Sequence, residues 1–398
     1  MTNLWSENHP RNIWHCQPDP PSQAWEEAIR QTIPILDMLK APEEIDIFLE
    51  NTLGEGQFGS NHWRLSLPRR LYYHLKPLFP RALIDSVKGL NSKMAQRAFP
   101  LSWPIEDRYV RFQWDTLQSL ADLLGDSPIR YRDIWPDGHT YAFVLTHDIE
   151  TEAGLAYAES VAALEVELGF RSSFNLVPER YPIDLGLINR LRARGFEIGI
   201  HCLKHDGKLF NSQSTFLERA QKINQYLKIY RAVGFRAPLM HRHPEWMQAL
   251  EVEYDLSFFD TDPYEPMPGG CMSIWPFFIG HFVELPYTLP QDCTLASVLG
   301  ETTHRIWLDK LDFIAANQGM ALLNTHPDYL LEPKVRKMYV DFLMAIRQKG
   351  GYWHALPCVV ARWWRKRTST PPGQETPEMT LGVIRKREVP VSRHAFTA

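Results

Sequence analysis

Beyond about residue 140, short apolar runs alternate with segments whose apolar residues recur at helical spacing. Residues 141–145, Tyr-Ala-Phe-Val-Leu, are β-prone and predict a buried strand. Residues 154–168 are rich in Ala, Leu and Glu and predict a helix that ends at Gly169. The alternation continues, with strands predicted at 171–177, 196–200, 256–259, 282–285, 320–324 and 352–354, and helices at 185–194, 215–233, 244–250, 303–317, 334–348 and up to about residue 367. This order predicts parallel strands joined by crossover helices in a small, incomplete α/β barrel.

Two flanking segments lack this alternation. Residues 1–135 combine a Pro-rich, Trp-containing loop with helical patches and are expected to form a mainly helical, loop-rich N-terminal extension. The barrel is expected over residues 136–367. Residues 368–398 open with a run that has no apolar residue, so a disordered tail is expected there.

The composition narrows the class of protein. The 398 residues carry a net charge of -4, which argues against binding to nucleic acid. No apolar run is long enough for a membrane span. The five cysteines form no CxxC pair, so neither a disulfide framework nor a zinc ribbon is expected. Without a basic segment and apolar core at the N-terminus, a cytoplasmic location is expected.

Two segments of the extension resemble binding motifs. Residues 54–59 fit GxGxxG by letter, but an acidic, helix-like run precedes them in place of a strand, so a flexible surface loop is predicted. Residues 64–97 are basic with interleaved aromatic residues. Solvated helix faces are the favoured interpretation of this basic segment, and peripheral contact with an anionic membrane surface is the alternative.

Polar residues with catalytic or metal-binding chemistry follow the first predicted strand. Asp148 and Glu150 are two apart, so on an extended backbone they point the same way, with Ile149 on the packed side. In barrels with helical crossovers, the residues that do chemistry lie just past the carboxyl ends of the strands. An acidic helix N-terminus is the alternative interpretation of these two carboxylates.

Three histidines and an arginine follow other predicted strands. His201 and His205 are four apart, which on a helical turn places both imidazoles on one face, close enough to hold one ion. Such a pair also arises by chance, and a lone His326 would by itself suggest a core histidine. Arg236 could orient an acidic neighbour through bidentate hydrogen bonds. Because all these strand ends open onto one mouth, a shared site is predicted.

In chain order, these motifs resemble those of the NodB-homology polysaccharide deacetylases, carbohydrate esterase family 4. The resemblance covers roughly residues 140–360 and is carried by THDIE (146–150), HCLKH (201–205), FRAP (235–238), FDTD (259–262) and LLNTH (322–326). It implies a distorted (β/α)7 barrel of the NodB type, one divalent metal, usually Zn²⁺, and hydrolysis of an N-acetyl group on a sugar.

The resemblance also implies roles for individual residues. The metal ligands would be Glu150, His201 and His205. A metal-activated water would attack the amide, with Asp148 as the base and His326 as the acid that protonates the leaving amine. Arg236 would fix nearby charge, through Asp260 or Asp262.

The chain departs from the family pattern in two motifs. The family usually has adjacent aspartates, base then ligand, whereas Asp148 is followed by Ile149. The register preferred here makes Glu150 the ligand; the alternative makes His147 the base and Asp148 the ligand. Cys202 replaces a small hydroxyl residue of the second motif.

The expected function is therefore metal-dependent removal of an N-acetyl group in polysaccharide or glycolipid metabolism. The expected partners are an N-acetylated saccharide or a lipid-linked saccharide, without nucleic acid. Two alternatives are hydrolysis of another non-peptide C–N bond and a barrel that binds a saccharide without turnover.

Overall fold

The computed structural model describes residues 3–36, 45–59, 62–63, 99–125 and 128–385 of the chain. Its helices are α1 (Pro10–Trp14), α2 (Ser22–Thr32), α3 (Ile45–Leu53), α4 (Arg108–Leu124), α5 (Glu152–Leu168), α6 (Leu185–Ala193), α7 (Gln213–Ile229), α8 (Pro244–Met247), α9 (Arg305–Ala316), α10 (Pro333–Lys349) and α11 (Pro357–Ser369). Its strands are β1 (Ile129–Arg132), β2 (Tyr141–Ile149), β3 (Ser173–Leu176), β4 (Glu197–His201), β5 (Gly234–Arg236), β6 (Tyr254–Asp255), β7 (Phe277–Ile279), β8 (Phe282–Glu284), β9 (Met320–Thr325), β10 (Tyr352–His354) and β11 (Leu381–Ile384). None of the helices in these ranges is long and apolar enough to cross a membrane.

A curled sheet forms the centre of the protein, in the order β10-β2-β3-β4-β5-β6-β8-β7, with β9 paired to β2. Neighbouring strands are parallel apart from the antiparallel β7–β8 hairpin. An isolated parallel bridge between Leu289 and Leu323 continues the curl towards β9. The predicted α/β barrel is thus confirmed, with a mixed sheet and flanking helices.

Strand β2 is central to the sheet, where it pairs with β3, β9 and β10. Every one of its residues is buried. A strand covered on both faces must be almost continuously apolar, which matches its first five residues. Helix α5 follows β2 and is N-capped by Thr151, whose side chain accepts a hydrogen bond from Gly154 N. The abrupt change from apolar strand to capped helix places Asp148 and Glu150 at the rim.

Two predicted elements differ from the observed ones. The strand expected at 256–259 lies earlier, at Tyr254–Asp255, and Phe259 makes only an isolated bridge to Tyr287. The apolar residues Leu256, Phe258 and Phe259 lie beyond the paired residues and are buried because the segment continues through the core. The strand Phe277–Ile279 was not predicted, since its apolar run reads as one segment with the residues before it.

The N-terminal segment packs directly on the barrel. The side chain of Asn8 donates to Phe278 O at 2.8 Å and accepts from Phe278 N at 2.7 Å. Glu55, in the segment predicted to be a flexible surface loop, is 3% exposed and pairs with the buried Arg242. That surface-loop prediction is wrong for Glu55, because the carboxylate also accepts from Gly270 N at 2.7 Å. The basic segment 64–97 lies outside the described residues.

The segment after residue 367 also differs from its prediction. Helix α11 continues to Ser369, and β11 pairs antiparallel with β1, with Ile129 opposite Ile384. The disorder expected from residue 368 onward does not hold for residues 381–384, where three apolar residues form a strand that covers the edge of β1. Residues 386–398 lie outside the described residues.

Replacing Glu55 with glutamine is expected to cost about 3 kcal/mol of stability at pH 7. Burial opposes ionisation, but Arg242 outweighs it and, with His62, lowers the pKa of Glu55 to about 2 from 4.5. That difference in pKa corresponds to about 3 kcal/mol. Because the folded-state pKa is the lower one, this stabilisation is complete above about pH 4.5 and disappears as the pH falls towards 2. Urea unfolding of the wild type and E55Q across this pH range measures it.

The matched control is E253Q, which removes the exposed partner of Arg362. This change should alter stability by about 1 kcal/mol or less, as is usual for surface ion pairs. Equal unfolding midpoints for wild type and E55Q at pH 7 would contradict the stabilising role of Glu55.

Candidate active site

The ends of four parallel strands bring the predicted site residues to one rim. Asp148 lies in β2 opposite Asn175 of β3, and His201 at the end of β4 lies opposite Arg236 of β5. His326 directly follows β9, whose Asn324 is the register partner of Thr146. Since side chains alternate along a strand, Thr146, Asp148 and Glu150 point to the same side.

Glu150, His201 and His205 form a cluster whose potential ligand atoms lie within 4.8 Å of one another. The Nε2 atom of His205 is 3.0 Å from Glu150 Oε1, and that of His201 is 3.6 Å away. Apart from these contacts with Glu150, both Nε2 atoms are buried without a hydrogen-bond partner. Buried polar atoms normally find a partner, so two orphaned imidazole nitrogens beside a carboxylate fit a cation site. Two His and one carboxylate are a typical zinc donor set with one position left open.

The backbone around the histidine pair is not the helical turn that the spacing predicted. His201 is the last residue of β4, and the loop that follows has positive φ at Cys202 (55°) and His205 (52°). The Sγ atom of Cys202 accepts from His205 N at 3.0 Å, which fixes this loop. The ring of His201 is held by a contact of 3.2 Å between Nδ1 and Arg236 O, which leaves Nε2 to face the cluster.

Asp148 is buried and accepts hydrogen bonds from three side chains. Its Oδ1 accepts from Asn175 Nδ2 at 2.9 Å and from Arg236 at 3.1 Å, and its Oδ2 accepts from Asn324 Nδ2 at 2.9 Å. Burial opposes ionisation, but the positive charge of Arg236, followed by His201 and His326, lowers the pKa of Asp148 below its usual value. The side chain is therefore held as a carboxylate.

Arg236 orients an acidic neighbour, as the sequence predicted, and that neighbour is Asp148. Its guanidinium is fully buried; Nε donates to Leu256 O at 2.9 Å, and Nη1, which faces Asp148, also lies 3.0 Å from Thr146 Oγ1. The proposed link through Asp260 or Asp262 is wrong. Asp260 pairs with Lys310 at 2.7 Å, and Asp262 accepts from the Tyr287 hydroxyl at 3.0 Å.

His326 is bound to an aspartate that sequence reasoning missed. Its Nδ1 lies 2.7 Å from Asp292 Oδ1, and its backbone N donates to Asp292 Oδ2 at 2.8 Å. Burial lowers the pKa of His326, but Asp292 outweighs it, and Glu150 adds to that effect, so the pKa rises to about 10. The Nε2 atom points towards the cluster, 3.8 Å from Glu150 Oε1. The only sequence signal for Asp292 is its place just after the apolar run at residues 285–289.

Asp292, Cys293 and His326 also have potential ligand atoms within 4.8 Å of one another. Asp292 is already used, since its oxygens accept from the ring Nδ1 and the backbone N of His326 and from Cys293 N at 2.8 Å. A carboxylate bound in this way orients the imidazole.

His147 points away from the cluster. Its Nδ1 lies 2.7 Å from Thr325 Oγ1, its Nε2 lies 2.7 Å from Glu165 Oε1, and its ring stacks on Phe174. The alternative register makes His147 the base and Asp148 the metal ligand. It is disfavoured because Glu150, and not Asp148, clusters with both imidazoles.

Fold and rim together define an α/β-barrel protein with a His–His–Glu cluster. No family model matches the chain, and no curated protein gives a significant match. Among solved structures, a protein assigned as a polysaccharide deacetylase from Mycobacterium smegmatis is 19% identical at a TM-score of 0.47, covering 61% of this chain and 96% of that one. The allantoinase Puue is 15% identical (TM-score 0.48; 58% and 92% covered). A protein assigned as a polysaccharide deacetylase from Pseudomonas aeruginosa PAO1 is 15% identical (TM-score 0.47; 58% and 93% covered).

Proposed function

We propose that this protein is a metal-dependent hydrolase that removes an N-acetyl group from a sugar. The observation that carries the proposal is the pair of buried, orphaned Nε2 atoms of His201 and His205 facing Glu150. On the same rim lie an ionised carboxylate, Asp148, and a histidine, His326, held by its own aspartate. A cation site flanked by a base and an acid is the arrangement that metal-assisted amide hydrolysis uses.

Glu150, His201 and His205 would hold the cation, with Zn²⁺ as the expected ion. A bound divalent cation supplies Lewis-acid chemistry, polarising a carbonyl and lowering the pKa of a water molecule towards about 7. The remaining residues of the rim then handle protons and orientation.

Asp148 is the proposed base. Its carboxylate is kept ionised by Arg236, so it can accept the proton of an attacking water at neutral pH. Three hydrogen bonds from the protein fix its plane, which keeps the accepting oxygen in one direction. Holding a reacting group in place in this way removes much of the entropic cost of the reaction.

His326 is the proposed acid. Its Nδ1 donates to Asp292, and its raised pKa keeps the ring doubly protonated at pH 7, so Nε2 carries a proton that can be donated to the leaving amine. Asp148 lies on β2 and His326 follows β9, the strand paired with β2, and His326 Nε2 is 3.8 Å from Glu150 Oε1.

The proposed substrate is an N-acetylated saccharide, free or lipid-linked, which is what the five-motif resemblance implies. The test is acetate release from N-acetylglucosamine oligomers and lipid-linked saccharides, run beside a panel of cyclic amides. Turnover of cyclic amides alone would indicate hydrolysis of another C–N bond. Tight glycan binding without release of acetate would indicate a binding barrel.

Chelation is expected to reduce acetate release to background. The reason is that the two imidazoles and Glu150 supply no Lewis acid themselves. Activity should return on addition of Zn²⁺, measured as acetate formed per mole of protein, with the metal content determined before and after chelation. Full activity in protein that is free of metal would contradict the proposal.

A further inference from the structure

We infer that Asn324 and Gln291 are positioning residues for Asp148, held in one orientation by the buried carboxyl pair Asp262 and Glu265, which shares a single proton through Tyr287. The inference rests on the proposed function, because it assigns these residues to the orientation of the proposed base. None of them belongs to the cation cluster or touches it in the contacts described above.

A continuous chain of hydrogen bonds leads from Asp148 into the protein. Asn324 Nδ2 donates to Asp148 Oδ2 at 2.9 Å and to Gln291 Oε1 at 3.0 Å. Gln291 Nε2 donates to Glu265 Oε1 at 2.6 Å, and the hydroxyl of Tyr287 lies 2.9 Å from the same oxygen. The same hydroxyl lies 3.0 Å from Asp262 Oδ2. All these side chains are at most 7% exposed.

The orientation of the Asn324 amide is fixed by its partners. Its Oδ1 accepts from Arg236 and from Thr146 Oγ1 at 3.0 Å, so both acceptor sites are used. Its Nδ2 has two protons, and both are donated, one to Asp148 and one to Gln291. A flipped amide would turn its oxygen towards the Asp148 carboxylate, which would leave two acceptors face to face.

The orientation of the Gln291 amide follows from that of Asn324. Because its oxygen accepts from Asn324, its nitrogen must point the other way, where Glu265 Oε1 accepts. The carboxyl pair therefore fixes the direction of donation, from donor to acceptor, along the whole series of hydrogen bonds.

Proton counting at Tyr287 shows that the carboxyl pair is not doubly ionised. The hydroxyl has one proton, so it can donate to Asp262 or to Glu265, but not to both. The other contact requires a carboxyl O–H that donates to the phenol oxygen. Burial, together with the negative charge of Asp262 near Glu265, raises the pKa of Glu265, and burial raises that of Asp262.

This chain of hydrogen bonds determines which oxygen of Asp148 accepts a proton. Oδ1 uses both of its lone-pair directions, for Asn175 and Arg236, whereas Oδ2 accepts only from Asn324. One acceptor direction therefore remains, on Oδ2. Asn324 fixes that direction, and Gln291 keeps Asn324 from turning.

The test exchanges the amide and the carboxyl group. Q291M and Q291E should each lower kcat about tenfold to a hundredfold, because a misplaced reacting group costs up to about 10²-fold. The double variant Q291E/E265Q restores a carboxylate that accepts from Asn324 and an amide that donates back, so it should recover most of the kcat lost in Q291E. KM and metal content should stay within about twofold of wild type in all variants. Recovery would separate positioning from a general loss of packing.

The matched control is Q248M, since Gln248 donates to Pro244 O and Ile279 O away from this chain. It should leave kcat unchanged. Unchanged kcat in both Q291M and Q291E, or no recovery in the double variant, would overturn the inference while leaving the deacetylase proposal intact.

The shared proton is measured without turnover. The infrared spectrum of the wild type at pH 7, minus that of D262N/E265Q, should contain the C=O band of one protonated carboxyl group. Absence of that band would overturn the shared proton. A wild type that shows the band but releases no acetate from any glycan would refute the proposed function and support the buried pair.

Discussion

Replacing His205 with alanine is expected to remove the bound cation and to lower hydrolysis roughly a thousandfold. His205 Nε2 lies nearer to Glu150 than that of His201 does, at 3.0 Å against 3.6 Å, and both nitrogens lack another partner. With one of three ligands missing, the site loses most of its affinity. A cation contributes several kcal/mol to transition-state stabilisation, and about 4 kcal/mol corresponds to about 10³-fold in rate.

The measurement is metal per chain by elemental analysis, together with acetate release by the same preparation. His281 offers a matched control, because its ring contacts Gln248 and Leu250 O outside the site. H281A should keep both metal and activity. If H205A retained stoichiometric metal and full turnover, the cation site would have to be elsewhere.

Replacing Asp148 with asparagine is expected to lower kcat about 10²- to 10⁴-fold while the metal content stays at the wild-type level. General-base catalysis contributes about that much, and an amide cannot accept the proton. Asp148 is not one of the three clustered ligands, since Glu150 is the carboxylate beside His201 and His205. Activity and metal binding should therefore separate in this variant, whereas they are lost together in H205A.

Folding must be checked, because three donors surround the carboxylate and an amide NH₂ would face one of them. Leaving a buried donor unpaired costs about 1–3 kcal/mol, which thermal unfolding will register. D312N is the control, since Asp312 pairs with Lys349 at the exposed surface. Full deacetylation by D148N would rule out the base role, and loss of its metal would favour Asp148 as a ligand.

The site residues that could be predicted are those placed by strand periodicity. Asp148 and Glu150 share a face because they are two apart on a strand, and β2 bears this out. His201 was located correctly at a strand end, although the turn after it is irregular and its backbone enters the left-handed region at Cys202. Spacing alone predicted that His201 and His205 are neighbours, but it did not predict the conformation of the loop between them.

Asp292 and Gln291 could not be predicted because Gln291 lies outside the regular elements and Asp292 begins an irregular helical segment that continues as the π-helix Thr294–Leu299. They follow a segment that is joined to β9 by an isolated bridge between Leu289 and Leu323 and by hydrogen bonds of Thr288, without forming a strand. Without periodicity there is no signal for the direction in which a side chain points. Glu55 was missed for a different reason. A Gly-rich run without a preceding strand suggests a surface loop, and the burial of Glu55 depends on the distant Arg242.

The pairing of β1 with β11 joins two segments that are almost the whole barrel apart in sequence, with Tyr131 opposite Gly382. A Cβ on Gly382 would lie 2.4 Å from the ring of Tyr131, so the lack of a side chain at Gly382 makes room for that ring. The two strands thus join the segment that precedes the predicted barrel to the segment that follows it. Both strands of this pair lie outside residues 136–367, the range predicted for the barrel.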